Sequence, residues 1–353
     1  MRLSTTLGYA GNILDDVQRV VALEKAGLDI VWVPETWGFD AATQLGFLAA
    51  RTSTVHIGAG ILPIYSRTPT LIAQTAAGLD LLSGGRAILG LGSSGPQVVE
   101  GWHGVPFDRP LQRTREIVAI CRQVWRRELV VHDGACYRLP LPPPDEGLGQ
   151  GLGLGLGLGK PLKLLTHPVR ADIPIYLASL APRSVELTAE VADGWLPIFY
   201  LPEKARAVWG DALARGAPRR APRLGPLEVV AGGLCAIGDA VVGLREQARP
   251  QLALYVGGMG APGKNFYNTL MARYGYQREA EQIQALYLAG ERSAAAAAVP
   301  EELLAATTLI GPAGYVRERI AAYRESGVTV LNVVPIGRTD PRRTVEQVKQ
   351  LLA

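Results

Sequence analysis

The feature that most constrains this chain is a repeated alternation. A short apolar run that reads as a buried strand is followed, again and again, by a longer stretch with helical spacing. The runs "DIVWVPE" (29–35), "VHIGAGILPI" (55–64), "RAILGLGSS" (86–94), "IPIYLASL" (173–180), "LEVVAGGLCAIG" (227–238) and "VTVLNVVPI" (328–336) are near-continuous rather than alternating. Strands of that kind are covered on both faces, as in a parallel sheet wrapped by helices. "LSTTLGY" (3–9) and "GWLPIFY" (194–200) extend the series. Helical patterns fill 12–27, 41–53, 68–85, 111–127, 182–193, 203–216, 311–327 and 342–353. Their ends carry signals: Asn12 as an N-cap with Asp15 and Asp16 in the first turn, Gly27 at the end, and Pro69 opening the third helix. About eight βα units result, the number for a (β/α)8 TIM barrel, and 353 residues suit one.

Three stretches break the rhythm. "LVVHDGACYRL" (129–139) reads as a hairpin turning on Asp133-Gly134. "GLGQGLGLGLGLGK" (147–160) is low-complexity Gly-Leu, expected as a flexible exposed loop because glycine loses much entropy on ordering. Residues 256–300 are mostly helical, with an alanine run at 294–298. Residues 1–353 are therefore read as one barrel domain with two insertions, 129–172 and 256–305.

Composition excludes several classes. Hydrophobic residues make up 48%, ample for a large core, and the net charge of +4 comes from scattered arginines. No Lys/Arg stripe interleaves with aromatics, so no nucleic-acid partner is expected. The three cysteines, Cys121, Cys136 and Cys235, are odd in number and lack CxxC spacing, which argues against a disulfide framework or zinc site. No two histidines share helix-face spacing, and no metal is expected. Neither a signal-peptide h-region nor an apolar run of membrane-spanning length is present, so the expectation is a soluble cytoplasmic protein.

In a (β/α)8 barrel the chemistry sits at the C-terminal ends of the strands. The candidate loops are Gly8-Tyr9, Glu35 through Trp37, Gly60 through Arg67, Gly90 through Gly95, Ala178 through Ser184, and those around Ile198 and Ile336. Several carry small residues, as a large planar ligand on the barrel mouth would need. Gly58, Gly60 and Pro63 interrupt an otherwise buried strand, a mark of a bulge or a close approach of backbone to ligand. "GLGSSG" (90–95) has the outline of a dinucleotide fingerprint. It lies in the fourth strand, and no acidic residue ends a strand about 20 residues later, so that reading is set aside. "YLASLAPRS" (176–184) runs a strand into a helix N-terminus, where free N–H groups bind phosphate; Ser179, Arg183 and Ser184 could add contacts, or the serines could be plain caps. Glu35 is placed at the mouth, as a functional carboxylate or a helix cap. His103, on the loop after the fourth strand, can reach the same end.

Together these residues resemble the bacterial luciferase-like superfamily, and within it the oxidoreductases that use the 5-deazaflavin coenzyme F420. The resemblance covers nearly the whole chain. It is carried by "GYAGN", "GLDIVWVPE", "IYLASLAPRSVELTAEVADGW" and "GPAGYVRERIAAYRESGVTVLNV", and most specifically by residues 57–107. It implies a non-prolyl cis peptide at Gly60-Ile61 behind the deazaflavin ring. It implies that Ser93, Ser94, Gly95 and Gln97 flank the ring and phosphoribityl chain. A phosphate segment is implied at Ala178, Ser179, Leu180, Ala181 and Pro182, with Arg183 and Ser184 close behind, and the acidic position falls on Glu35.

The sequence also departs from that pattern. Thr36 stands where some deazaflavin enzymes have histidine, and "SSGPQVVE" leaves Glu100 farther along than their glutamate. The candidate catalytic residues are Glu35, Trp37 and His103, the last two on the substrate side. The function implied is hydride transfer between the deazaflavin and a small organic substrate, in a homodimer. FMN-dependent monooxygenation on the same fold is one alternative. A non-catalytic cofactor-binding barrel acting through a partner, kept open by Thr36, is the other.

Overall fold

The computed structural model describes residues 1–9, 11–142 and 158–352. Eight parallel strands close into a barrel: β1 (Arg2–Thr6), β2 (Ile30–Val33), β3 (His56–Ala59), β4 (Ala87–Gly92), β5 (Ile175–Ala178), β6 (Gly194–Trp195), β7 (Glu228–Ile237) and β8 (Val330–Pro335). Each pairs with the next, β7 pairs with both β6 and β8, and β8 returns to β1. Helices on the outside cover the wall: α1 (Ile13–Lys25), α2 (Ala41–Arg51), α3 (Pro69–Leu82), the short α4 (Pro96–Gly101), α5 (Pro110–Trp125), α6 (Pro182–Val191) and α7 (Pro202–Gly216), then Ala313–Glu325 and Pro341–Leu352. The (β/α)8 expectation therefore holds. The expected helix starts are present: Asn12 accepts the Leu14 N–H at 3.0 Å, and Pro69 opens α3, with Thr68 as a cap not foreseen. No helix among the described residues is long and apolar enough to cross a membrane.

The barrel interior is packed in layers, as register dictates. Ile30, Trp32, Ile88, Tyr176, Val230 and Val330 form a cluster of their own, separate from the larger one between strands and helices. The Trp32 and Tyr176 rings lie 5.4 Å apart at its centre. Below them Arg2 pairs with Glu228 at 2.5 Å, and the Tyr176 hydroxyl donates to the same carboxylate. Conservative closure of this N-terminal end concerns stability; the opposite end is where loops are free to vary.

The glycines of β3 and β4 are explained by this packing. A Cβ on Gly58 would lie 2.4 Å from the Trp32 ring, and one on Gly90 only 1.8 Å from the Ala59 carbonyl oxygen. The expected third strand, 55–64, is accordingly two pieces. His56–Ala59 pairs with β2 and β4, and Leu62–Pro63 pairs with β4 alone, across a cis Gly60-Ile61 peptide.

Two elements differ from the sequence reading. The strand expected over 194–200 pairs only at Gly194–Trp195, because Pro197 has no N–H for a ladder and Phe199 turns the chain at φ +53°. A strand not foreseen, Leu309–Gly311, adds to the far end of β7. Beyond β7, helices Arg249–Ala253, Phe266–Arg273, Gln277–Leu288, Arg292–Ala297 and Glu301–Thr307 follow, with a π-helical turn at Leu254–Gly258. Most of the Gly-Leu run, 147–157, lies outside the described residues.

The hairpin is present as His132–Asp133 paired antiparallel with Arg138–Leu139, but its turn spans the four residues between them rather than two. Buried Glu116 of α5 sits beneath that turn and accepts the N–H groups of Ala135, Cys136 and Tyr137. Burial opposes ionisation of its carboxyl, but hydrogen bonds from Gln112, Tyr137, Cys136 and His132 outweigh it and hold the pKa below the ordinary 4.5. A depressed pKa contributes stability above the unfolded value that is lost as pH falls through the folded one. Glu116→Gln is expected to cost about 2 kcal/mol near neutral pH, the scale for hydrogen bonds to a charged group. That gap should shrink as the pH falls from about 4.5, the ordinary value of the unfolded carboxyl, through the lower folded one. Urea denaturation of both proteins across pH 3 to 7 (~0.5-unit steps, fine enough to resolve the titration) checks it.

Candidate active site

The C-terminal ends of β4 and β5 face one another in register, with Gly92 opposite Ala178. Between the β4 loop and the first turn of α6 lies a small, partly open cavity of about 40 Å³, lined by Gly92, Ser93, Thr114, Ala178, Ser179 and Ser184 among others. Ile61 packs against Gly92, one of the lining residues: a Cβ on Gly92 would lie 2.8 Å from the Ile61 side chain. The structure thus brings Ser93, Ala178, Ser179 and Ser184 to one cavity, with Gly60-Ile61 beside it. Ser94 continues the β4 loop in the left-handed region at φ +58°, uncommon for a non-glycine residue. Gly95 caps α4, and the Gln97 amide lies 3.9 Å from the Met259 sulfur on the segment folded over from beyond β7.

The β5–α6 loop is pinned from behind. Trp195 Nε1 donates to the Ser179 carbonyl and Trp209 Nε1 to the Leu180 carbonyl, both at 2.9 Å. Thr188 gives its hydroxyl proton to the Ser184 carbonyl, so Ser179 Oγ, 2.8 Å away, donates to Thr188 Oγ1. Ser184 Oγ donates to the Ala181 carbonyl. Both serine hydroxyls are therefore committed as donors within their own loop. The donors left for an anion are the N–H groups of the first turn of α6, which have no intrahelical acceptor, and the exposed Arg183 guanidinium.

The three candidate catalytic residues are dispersed in role. Glu35 receives Arg67 at 2.7 and 2.9 Å and the Ala41 N–H at 2.7 Å, with its side chain 7% exposed. It ties the β2 loop to α2 and to the loop after Leu62–Pro63, the capping arrangement rather than a free acid. Arg67 also pairs with Asp40; burial opposes its charge, but Glu35 and Asp40 prevail and raise its pKa. Trp37, on the same loop, is half exposed beside the still more exposed Phe39. His103 follows α4, and its Nε2 is buried without a partner among the described residues. The Trp32 indole N–H, beneath the mouth, is in the same state.

A tyrosine pair was not foreseen. Tyr9, just past β1, hydrogen-bonds through its hydroxyl to that of Tyr255 in the π-helical turn. Tyr255 also meets Phe199 and Tyr267 edge-on at 5.3 and 4.7 Å. Asn265, 1% exposed, fixes the turn: its Nδ2 donates to the Tyr255 and Val256 carbonyls while its Oδ1 caps the next helix. Burial raises the Tyr9 pKa, with the Tyr255 hydrogen bond opposing, and burial raises that of Tyr255 further. Both hydroxyls keep their protons across the ordinary pH range. The Gly8-Tyr9 loop was legible as a mouth loop, but nothing in sequence ties it to residues near 255.

A closed (β/α)8 barrel with its cavity at the C-terminal end, between a small-residue strand end and a helix N-terminus, defines the class. The family model for luciferase-like monooxygenases matches residues 1–330. The chain belongs to that family. It is 42% identical, over all of its length and 98% of the relative's, to a protein of Mycobacterium tuberculosis provisionally named a coenzyme F420-dependent oxidoreductase. It is 26% identical, over 92% of its length and 90% of the relative's, to the 5,10-methylenetetrahydromethanopterin reductase of Archaeoglobus fulgidus. Among solved structures, the coenzyme F420-dependent tetrahydromethanopterin reductase of Methanopyrus kandleri superposes with a TM-score of 0.80 at 22% identity, covering 99% of this chain and 97% of that one. The oxygenating constituent of 3,6-diketocamphane monooxygenase from Pseudomonas putida, in complex with FMN, gives 0.65 at 17% identity, covering 100% and 98%. These two likenesses bear on the fold.

Proposed function

We propose that this protein is a coenzyme F420-dependent oxidoreductase that moves a hydride between the deazaflavin and a small organic substrate. The carrying observation is the cavity joining the β4 loop to the α6 N-terminus, whose free donors are backbone N–H groups and one arginine. A phosphate is the ligand such a donor set fits, because acceptor-only oxygens match N–H groups at a helix N-terminus. The full-length similarity to a relative provisionally named for coenzyme F420 supports the choice of cofactor. On this reading Gly60, Ile61, Gly92 and Ala178 form the surface behind the ring. Ser93, Ser94, Gly95 and Gln97 flank it, and Ser179 through Ser184 hold the phosphate. When bound, the deazaflavin supplies a carbon in place of flavin N5 that gives or takes a hydride, which favours two-electron chemistry over oxygen activation.

The chain's own residues orient and enclose. The segment carrying Tyr255 and Tyr267 packs on Phe199 and is tied to the 44%-exposed Tyr9, forming one side of the mouth. Tyr9, held by Tyr255, offers a neutral O–H to the substrate atom whose charge changes during transfer. Glu35 keeps the β2 loop in place through Arg67. The same reading takes the enzyme as cytoplasmic and homodimeric.

Titrating the purified protein with coenzyme F420 and, separately, with FMN tests the proposal through quenching of tryptophan fluorescence. The expected result is F420 binding at least about tenfold tighter than FMN, a difference of 1.4 kcal/mol. Tight FMN binding with none of F420 would sink it. F420 binding without turnover, over ketones, alcohols, imines and enones, would turn the reading to a cofactor-carrying barrel.

A further inference from the structure

The floor of the barrel mouth carries a polar group that no described residue uses. Ile30, Trp32, Ile88, Tyr176, Val230 and Val330 close the interior as one buried layer. Side chains two residues apart on a strand share a face, so Asn332 stands one level nearer the mouth than Val330, Gly232 than Val230 and Ala178 than Tyr176. Thr6, level with Trp32 in the ladder, borders them. These four are only partly buried, which makes their level the floor that the mouth opens onto. Its polar part is on the β1–β8 side. Ser4 Oγ donates to Asn332 Oδ1 at 3.1 Å and Thr6 Oγ1 to the same oxygen at 3.2 Å. Ser4 is fully buried and its hydroxyl proton has no other acceptor among the described residues, which assigns Oδ1 rather than Nδ2 to the hydroxyls. Both Asn332 amide protons are left without an acceptor among the described residues, on an atom that, unlike Trp32 Nε1, is not sealed from accessible space. Gly232, paired with Asn332 in the ladder, puts no side chain over the amide, and a Cβ there would lie 2.1 Å from the Asn332 carbonyl oxygen.

We propose that Asn332 determines substrate specificity, its Nδ2 donating to a neutral carbonyl or hydroxyl oxygen of the substrate. The inference rests on the oxidoreductase reading above and deepens it. With the ring over the β3–β5 side, the floor between β7 and β1 is the part left to the substrate, on the side where Tyr9 follows β1. A carboxamide whose Oδ1 is occupied offers two N–H donors and no acceptor, so the group it takes is an acceptor. Charge narrows the choice. Thr6, Ala178, Gly232 and Asn332 bring no charge to this level, and Arg2 and Glu228, beneath the buried layer, are paired with each other. A carboxylate or phosphate brought here would lose hydration with no counter-charge to replace it, whereas a ketone or alcohol oxygen loses far less and regains a hydrogen bond. The amide plane is held through Oδ1 by two hydroxyls, and a donor locked in this way selects by direction as well as by polarity.

Calorimetric titration of the full chain, saturated with coenzyme F420, tests this with cyclohexanone, its isostere methylenecyclohexane and cyclohexanecarboxylate as probes. The ketone is expected to bind about tenfold tighter than the alkene, or ~1.4 kcal/mol, the scale of one hydrogen bond, and the carboxylate no tighter than the alkene. Asn332→Leu should bring the ketone-to-alkene ratio to about one and leave F420 affinity within about twofold. Asn332→Asp keeps the acceptor that Ser4 and Thr6 hold but loses the donor, so it should abolish the ratio as well, and it decides the matter if the leucine variant does not fold. Thermal melting confirms which variants are folded. No preference for the ketone in the unaltered protein, whether through equal binding or none, overturns the assignment, as does a ratio that survives in Asn332→Asp. A folded variant that loses F420 along with the ketone makes Asn332 a cofactor contact and overturns it too. Tight binding of FMN by the unaltered protein, with none of F420, would instead overturn the reading on which the inference rests.

Discussion

Gly90→Ala is expected to destabilise the protein by about 3 kcal/mol, the upper end of the usual cost of overpacking a core. The added Cβ would lie 1.8 Å from the Ala59 carbonyl oxygen and 2.9 Å from its carbon. Those are backbone atoms of a neighbouring barrel strand, so no side-chain rotation relieves the clash. β4 cannot retreat either, because β5 holds its other edge at Leu89, Gly90, Leu91 and Gly92. For a chain of this size the loss corresponds to a fall in Tm of roughly 4 °C. Gly46→Ala makes the contrast. Gly46 lies inside α2 with nothing within 4 Å of its would-be Cβ, so alanine there should gain about 0.5–1 kcal/mol through helix propensity. Differential scanning calorimetry of the two variants decides the matter: equal and small shifts would mean that β3 and β4 have more freedom than their contact allows.

The barrel was legible because its signals are local. Near-continuous apolar runs, the helix cap at Asn12, and Pro69 at the start of α3 each report their element without reference to distant residues. Glycine was legible as a mark of close approach, but not of what approaches. At Gly58 it is Trp32 and at Gly90 the Ala59 carbonyl, both parts of the protein itself, while Gly92 and Ala178 do line the cavity. Glu35 shows the same limit in polar form. A carboxylate after a strand reads equally as acid or cap until Arg67 and the Ala41 N–H are seen on it. Hydroxyl allegiance was hidden for a related reason. Ser179 and Ser184 sit where the phosphate segment was expected, yet Thr188 and the Ala181 carbonyl already take their protons. Pairings over long separations, such as Tyr9 with Tyr255, leave no periodic trace for sequence reasoning to find.

That tyrosine pair sets the largest functional effect. With any substrate that supports hydride turnover, Tyr9→Phe is expected to lower kcat by about 10²–10³, the usual cost of removing one hydrogen-bond donor aimed at developing charge. Cofactor affinity should stay within about twofold, a difference of only some 0.4 kcal/mol, because the pair lies on a different loop from the β4–α6 cavity. The direction of the pKa shift matters here. Burial raises the Tyr9 pKa above its ordinary 10.0, so the hydroxyl is a poor proton donor in the acid–base sense but a dependable neutral hydrogen-bond donor. Activity that depends on it should therefore show no Tyr9 limb below about pH 10, and a loss only above that. Tyr255→Phe removes the partner that orients Tyr9, not the donor itself. Its expected loss is smaller, about tenfold or 1.4 kcal/mol, the strength of one ordinary hydrogen bond. Asn265→Ala, which releases the turn carrying Tyr255, should resemble it. The discriminating measurement is the split between kcat and the cofactor's dissociation constant. If Tyr9→Phe weakens cofactor binding as much as it slows turnover, the hydroxyl is a binding contact and the hydrogen bond to substrate must come from another residue at the mouth.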